Sequence, residues 1–191
     1  MNSEEALVLF RQTNALLAGH FELRSKRHSA EFFQCAHVLK YPQHAEALCR
    51  ALVEKIRTGK IELPVDGVIS PAMGGIPVGH EVARALGVHH IFAEKQNDVL
   101  VLRRGFKIEP GSRYVVAEDV VTRGGRVQET IDIVTGNGGI VAAVGVLVDR
   151  SGGVASFDAP FFSLIQMNPV TWTAQECPLC RQGVPIEHPG S

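Results

Sequence analysis

The sequence predicts an α/β fold in which a central, mostly parallel sheet is flanked by helices. Apolar segments of strand length, such as "RYVVAEDV" and "IVAAVGVLVDR", alternate with segments of helical periodicity. Strands that are apolar throughout are typical of parallel sheets, because helices cover both faces of such sheets. The chain has 191 residues, 45% of them hydrophobic, which suits the core of one domain.

The first 35 residues predict a helix and then a short strand. "SEEALVLFRQTNALLAGH" indicates a helix that Ser3 caps and Gly19 ends. "FELRSKRHSAEFFQC" is basic and aromatic with weak periodicity, so it predicts a loop that leads into a strand.

The segment "PQHAEALCRALVEKIRTG" gives the clearest helical pattern in the chain. Pro42 suits its first turn, and Gly59 suits its end. Its apolar residues recur at helical spacing and define one buried face: Ala45, Leu48, Cys49, Leu52, Val53 and Ile56.

From residue 65 onward, predicted strands and helices alternate. The tail from Asn168 is rich in proline and polar residues and predicts an extended flap. The predicted order is strand "VDGVIS", turn "PAMGG", helix "IPVGHEVARALG", strand "VHHIFA", hairpin arm "VLVLRRGF", strand "RYVVAEDV", helix "GGRVQETIDIVTGNGG", and strands "IVAAVGVLVDR" and "FFSLI".

The charge balance argues against a dedicated nucleic-acid or membrane protein. The formal net charge is -1, from 19 basic and 20 acidic residues, so no global field favours either partner. No apolar run approaches the ~18 residues that span a bilayer. The N-terminus "MNSEEALVLF" does not resemble a signal peptide, so we expect a cytoplasmic protein with reduced thiols.

The stretch "YVVAEDVVTRGGR" combines a buried strand, two acids and a glycine turn. Ligands of open parallel sheets bind beyond the carboxyl ends of strands, where Glu118 and Asp119 lie. The turn and the helix from about Gly125 present N–H groups, so they form a cradle for an anion. A sugar phosphate would satisfy both features, as would magnesium on a polyphosphate. The alternative is an ordinary turn with solvated acids.

Residues 115 to 126 resemble the 5-phosphoribosyl 1-pyrophosphate (PRPP) motif of type I phosphoribosyltransferases. Further segments resemble one bacterial branch of the orotate phosphoribosyltransferases along nearly the whole chain: "FELRSKRHSAEFFQC", "SPAMGGIPVGHEVARALG", "LRRGF", "EDVVTRGG", "VLVDRSGG" and "CPLCRQGVP".

The resemblance implies one domain over residues 1–191, in a symmetric homodimer. It implies a hood with the N-terminal helix at about 1–40, a PRPP-binding core at about 60–166 and an extended tail at 168–191. The implied reaction converts orotate and PRPP, with Mg²⁺, into orotidine 5′-phosphate and pyrophosphate, the ribosyl step of pyrimidine synthesis.

By the same resemblance, Glu118 and Asp119 hold the ribose hydroxyls and act in catalysis. Many relatives carry lysine where this chain has Gly74, and Arg123 and Arg126 replace hydroxyl residues of the usual phosphate loop. The full set implied to bind PRPP is Glu118, Asp119, Val120, Val121, Thr122, Arg123, Gly124, Gly125, Arg126, Ala72, Met73 and Gly74.

The orotate side would be formed by Arg150, two aromatic residues and Arg24, with Thr122 at its border. A guanidinium suits this role because it pairs bidentately with a carboxylate. Phe32 and Phe33 match aromatics that pack on the pyrimidine. The alternatives are a solvated arginine at a strand end and phenylalanines that pack only in the core.

Lys95 aligns with a cation of the mobile catalytic loop of the family, beside a possible hairpin turn. Arg103 and Arg104 match pyrophosphate ligands or a solvated strand end, and we favour the solvated strand end. No protein metal site is predicted, since PRPP carries the magnesium. "CPLC" has zinc-ligand spacing but no second ligand pair nearby in sequence, so we predict a reduced, packed turn; Cys35 or histidines could complete a site only through folding.

Two other functions stay open at the level of sequence. A purine phosphoribosyltransferase would share the PRPP motif but would not need Arg150 for a carboxylate. A PRPP-sensing regulator would keep the fold without turnover, and the absence of the lysine at Gly74 is compatible with it.

Overall fold

The computed structural model describes residues 1–23, 25–59, 61–168 and 170–189, which form two sheets and six helices. The strands are β1 Leu16–Glu22, β2 His28–Phe33, β3 Gly67–Pro71, β4 His89–Gln96, β5 Val99–Leu102, β6 Arg113–Val121, β7 Ile140–Asp149, β8 Phe161–Gln166 and β9 Thr171–Trp172. The helices are α1 Ser3–Gln12, α2 Ala36–Leu39, α3 Pro42–Thr58, α4 Gly75–Leu86, α5 Gly125–Gly136 and α6 Pro178–Arg181.

The larger sheet has six strands in the order β5-β4-β3-β6-β7-β8. Its strand pairs are parallel except for β4 and β5, which form an antiparallel hairpin. The predicted α/β fold with a mostly parallel sheet is therefore confirmed, as is the hairpin arm. The parallel strands end at one edge of the sheet, where the loops after β3 and β6 meet.

Helices cover both faces of this sheet because neighbouring residues of each strand point in opposite directions. Val115 of β6 belongs to the core beneath α3 and α4, whereas Val116 belongs to the core beneath α5. Helix α3 begins at Pro42 and is followed by Gly59, and its predicted apolar face is buried, as expected. In the described parts of the chain, no helix is both long and apolar enough to cross a membrane.

The first predicted helix is shorter than its sequence pattern indicated. Helix α1 ends at Gln12, and the residues after Asn14, which has a φ of 55°, form strand β1. Asn2, not Ser3, caps the helix, since its side chain accepts hydrogen bonds from the amides of Glu4 and Glu5. Ser3 instead donates its hydroxyl to the Leu164 carbonyl of β8, at 2.6 Å.

The smaller sheet, which we call the hood, consists of β1, β2 and β9 in that order. The sequence predicts an extended tail after residue 168. In the structure, the tail also contributes β9 and α6. The tail also returns to β1, where the amide of Glu187 donates to the His20 carbonyl at 2.7 Å. Both ends of the described chain thus build the hood.

Candidate active site

The two acids of the motif lie near the carboxyl end of β6, at the sheet edge where ligands of this fold class bind. Glu118 is buried and Asp119 is half-buried. Both carboxylates are fixed by local bonds. Oε1 of Glu118 accepts from the amide of Asp119 at 3.0 Å, and Oδ1 of Asp119 accepts from the amide of Val120 at 2.8 Å.

Burial disfavours full ionisation of this acid pair. The pKa of Glu118 lies well above its usual range, because the side chain is desolvated and the Asp119 charge is close. Burial also raises the pKa of Asp119, although its hydrogen bonds with Glu118 and the backbone act in the opposite direction. The pair therefore holds its negative charge poorly on its own, and hydroxyl donors or a cation would stabilise the ionised form.

Cys35 borders the acid pair, a neighbour that the sequence pattern did not predict. Its thiol is buried, and its pKa is raised well above the usual value, first by desolvation and then by the charges of Asp119 and Glu118. The thiol therefore remains protonated and hydrogen-bonds to the Asp119 carboxylate. No sequence signal could have found it, since Cys35 precedes the acids by more than eighty positions.

The loop after β6, where the sequence predicts an anion cradle, turns directly into α5. Gly124 caps the helix with a φ of 81°, which a residue with a side chain rarely adopts. The first helical bond runs from Gln128 N–H to the Gly124 carbonyl at 2.9 Å, so the preceding amides lie outside the helical ladder. Thr122 and Arg123 are exposed beside this turn. Arg126 is occupied by an ion pair with Glu129 at 3.1 Å.

The loop between β3 and α4 lies against the acids. A β-carbon on Gly74 would be 2.7 Å from Oδ2 of Asp119, and one on Gly75 would be 2.8 Å from Oε1 of Glu118. The backbone of this loop therefore approaches the carboxylates closely. Met73 projects outward with 82% of its surface exposed. The two loops and the two acids form one continuous site.

Arg150 follows β7 and reaches the same edge of the sheet, where its amide donates to the Val121 carbonyl at 2.8 Å. Its guanidinium lies 5.2 Å from the centre of the Phe33 ring. Its Nε is buried and has no hydrogen-bond partner among the described residues. Burial lowers the pKa of Arg150, with Cys35 and Glu31 acting in the opposite direction. An anionic ligand would satisfy this cation.

The two aromatic residues at the end of β2 face opposite sides of the hood. Phe33 is buried between Arg150 and Phe10, whose ring centre is 5.8 Å away. Phe32 packs on Phe21 instead, also at 5.8 Å. Strand alternation thus places the two rings on opposite faces of the hood, and Phe33 is the one with a described contact to Arg150. The predicted ligand Arg24 lies outside the described residues.

Lys95 lies near the end of β4, in the hairpin with β5. Asn97 and Asp98 form the turn with positive φ values of 51° and 64°, as the sequence indicated. The ammonium of Lys95 pairs with Asp98 at 3.2 Å, and none of the described contacts joins it to the acid pair. Arg104 pairs with Glu94 at 3.1 Å, as expected for a solvated strand end.

Comparisons with known proteins agree with this architecture. Residues 37–180 match the family model described as phosphoribosyl transferase domain. The chain is 51% identical over 191 residues to an orotate phosphoribosyltransferase of Heliobacterium modesticaldum, covering 100% of this chain and 99% of that protein. It is 48% identical over 191 residues to the enzyme of the same name from Pelotomaculum thermopropionicum, covering 100% and 98%.

Solved structures share the fold at lower identity. The orotate phosphoribosyltransferase of Aeropyrum pernix aligns with a TM-score of 0.70 at 24% identity, covering 85% of this chain and 93% of that one. An adenine phosphoribosyltransferase of Rhodothermus marinus aligns with a TM-score of 0.67 at 19% identity, covering 86% and 99%. Fold similarity alone therefore does not distinguish a pyrimidine from a purine as the acceptor.

Proposed function

This chain belongs to the orotate phosphoribosyltransferases, within the phosphoribosyltransferase family, and we propose that it transfers the 5-phosphoribosyl group of PRPP to N1 of orotate. The products are orotidine 5′-phosphate and pyrophosphate, and the reaction takes place in the cytoplasm as a step of pyrimidine synthesis. The observation that carries the proposal is Arg150, a half-buried arginine whose buried Nε has no hydrogen-bond partner among the described residues and whose guanidinium lies next to Phe33. The carboxylate of a planar base supplies the hydrogen-bond acceptor that Arg150 lacks, and the ring of the base packs beside Phe33.

The ribose binds to the acid pair. Its 2′- and 3′-hydroxyls donate to Glu118 and Asp119, which lowers the pKa of both carboxyls toward ordinary values. As the bond from C1 to the pyrophosphate oxygen breaks, its electron pair leaves with pyrophosphate and the ring becomes oxocarbenium-like. The ionised carboxylates are fixed close to the developing positive charge, so they stabilise the transition state more than the ground state.

The phosphates bind to backbone donors. The 5′-phosphate occupies the cradle formed by residues 122–126, where the Thr122 hydroxyl and backbone N–H groups bind it. Pyrophosphate lies along residues 72–74, whose backbone is accessible because Gly74 carries no side chain. The carboxylate oxygens of the acid pair are donors of the kind that magnesium prefers, so the site fits an Mg²⁺ ion that arrives on PRPP. When bound, such an ion would supply positive charge that offsets the charge of pyrophosphate.

Orotate binds between the hood and the strand ends. Arg150 forms a bidentate pair with its carboxylate, and the ring packs toward Phe33, with Thr122 at its border. This pose directs N1 toward C1 of the ribose, and positioning supplies much of the catalysis. Phe32 packs on Phe21 and is partly exposed on the other face of the hood.

We also propose a two-fold homodimer in which Lys95 serves the partner's site. The hairpin that carries Lys95 extends beyond the end of β3, since Pro71 is opposite Ala93 in the register. Within one chain, Lys95 is paired with Asp98 rather than with the site. A cation on a projecting hairpin can reach the pyrophosphate of a neighbouring subunit in a two-fold assembly.

An assay of base specificity tests the proposed function. Purified protein with PRPP and Mg²⁺ is offered orotate, uracil, hypoxanthine and adenine in parallel, and the loss of orotate absorbance is followed. We expect Mg²⁺-dependent consumption of orotate alone. Turnover of a purine without orotate would indicate the purine enzyme, and PRPP binding without turnover of any base would indicate a regulator.

A further inference from the structure

Four side chains with metal-binding atoms converge at the hood, away from the acid pair. His20 lies on β1 and His28 on β2. Cys177 directly precedes α6, and Cys180 lies within it. Their ligand atoms all lie within 4.8 Å of one another. Because the two histidines and two cysteines are more than 140 positions apart in sequence, only folding brings them together.

Several of the distances are close to those of a tetrahedral site. His20 Nε2 lies 3.4 Å from the Cys177 sulfur, and His28 Nδ1 lies 3.3 Å from the Cys180 sulfur. The two ring nitrogens are 2.9 Å apart. A tetrahedral ion with ligands at about 2.0–2.1 Å for nitrogen and about 2.3 Å for sulfur has edges of about 3.4 to 3.8 Å. Outward shifts of a few tenths of an ångström would admit the ion.

The protonation of His20 also favours an ion. Its Nδ1 lies 2.8 Å from the Val184 carbonyl, so Nδ1 carries the proton and Nε2 offers a lone pair to the cluster. His28 and both sulfurs lie around this one lone pair, at 2.9 to 3.6 Å. Only one of these three neighbours can donate a hydrogen bond to that lone pair, so the other two lie close to it without a bond. A cation at the centre satisfies all four ligands together.

The cluster is enclosed enough to hold an ion firmly. His20, His28 and Cys177 are 2%, 5% and 0% exposed, and Cys180 forms the solvent side. Four protein ligands leave no open position, which is the arrangement of a structural rather than a catalytic ion. A set of two imidazoles and two thiolates binds zinc in preference to magnesium or calcium.

We propose that His20, His28, Cys177 and Cys180 bind one structural zinc ion that fastens the tail to the hood. The ion joins β1 and β2 to the segment around α6, which is otherwise attached to these strands by backbone pairing, by the hydrogen bond between His20 and Val184, and by the exposed contact between His188 and Glu22. Strand β2 also carries Phe33 next to Arg150. Zinc therefore holds the strand that borders the proposed base pocket, while the chemistry at the acid pair proceeds without it.

Metal content gives the direct test. Untagged protein, purified without chelator, is examined by plasma mass spectrometry and by native mass spectrometry. We expect about one zinc per chain. Cys180→Ser should lose most of that zinc. Cys180 is the exposed ligand, so its substitution should disturb the packing of the hood least. His188→Gln, a histidine of the same tail outside the cluster, should keep it. Equal zinc in wild type and Cys180→Ser would overturn the proposal.

Two measurements on wild-type protein avoid any folding defect of a variant. Removal of the metal with a thiol-reactive mercurial and chelator, followed by thiol regeneration, should lower Tm by about 5 °C or more, and zinc should restore it. Replacement by Co²⁺ should give the intense visible bands of a tetrahedral thiolate complex. Failure to bind either ion, or a Cys177–Cys180 disulfide in protein purified under reducing conditions, would contradict the zinc site.

Discussion

A β-carbon on Gly74 would lie 2.7 Å from Oδ2 of Asp119, so the loop after β3 and the acid at the end of β6 are in direct contact. A lysine at this position would place its own β-carbon in the same space. Because Gly74 has no β-carbon, it leaves room for the Asp119 carboxylate.

Gly74→Ala should lower turnover by about 10-fold or more, because a displacement of the carboxylate by a fraction of an ångström spoils its alignment with the ribose. Steady-state kinetics with orotate and PRPP measures the effect. Gly136→Ala is the matched control, since a β-carbon there meets no atom within 4 Å. The close contact would lose its significance if both variants kept wild-type turnover.

Asp119→Asn should reduce turnover by about 10²-fold, because the variant keeps the size of the side chain but removes a preorganised charge near the ribose. Asp132→Asn provides a control on the exposed face of α5. Circular dichroism and Tm show whether each variant is folded. Unchanged turnover of folded Asp119→Asn would mean that the acid pair is only structural.

Arg150→Lys should raise the KM for orotate by about 10-fold or more, because an ammonium keeps the charge but loses the bidentate geometry of the guanidinium. The KM for PRPP should change little. Arg103→Lys, at an exposed strand end, is the control. A selective loss of PRPP binding would instead place Arg150 on the phosphate side.

Mixed dimers test whether Lys95 acts across subunits. Lys95→Ala and Asp119→Asn homodimers should each be poorly active, whereas a mixed dimer unites both defects in one site and leaves the other intact. Equal random mixing should recover about a quarter of wild-type activity, since half of the dimers are mixed and each has one intact site. Tagged subunits confirm exchange. Activity equal to the mean of the two homodimers would exclude action in trans.

His90 should make the fold sensitive to mild acid. Burial, together with the charges of His80 and His89, lowers the pKa of His90 to about 4, while its Nε2 lies 2.8 Å from the Ser70 hydroxyl. The unfolded chain therefore binds a proton near pH 6.5 that the folded chain accepts only near pH 4. The contribution of His90 to the free energy of unfolding should be constant above pH 6.5 and should fall as the pH drops from 6.5 to 4.

Urea unfolding across this range measures the effect. His90→Gln, which can keep a hydrogen bond to Ser70, should show a shallower decline than wild type. His44→Gln serves as a control at a histidine whose side chain lies on α3, outside this contact. Equal slopes for wild type and His90→Gln would show that other groups cause the acid sensitivity.

The sequence predicted the parts of the fold that depend on local patterns. Helix α3 has a regular apolar face between Pro42 and Gly59, and both boundaries follow from properties of those residues. The acid pair was likewise placed at a strand end, because an apolar strand, two acids and a glycine turn occur consecutively. Such information is contained within a dozen residues.

Features that depend on distant pairing were not predictable in the same way. Residues 16–20 fit a helical pattern, but pairing of Leu16 with Phe33 makes this segment a strand. The opposite orientation of Phe32 and Phe33 follows from the same pairing. His20 and Cys177 are in contact although they are 157 positions apart in sequence, and local spacing cannot reveal such a contact.

The hood has a consequence for protein synthesis. His28 of β2 pairs with Trp172 of β9, so β2 leaves the ribosome long before its neighbour has been made. During that interval the edge of β2 is open, and an open strand edge can pair with other nascent chains. We therefore expect the β1–β2 hairpin to be the segment that chaperones protect during translation, and its closure by β9 to be among the last events of folding.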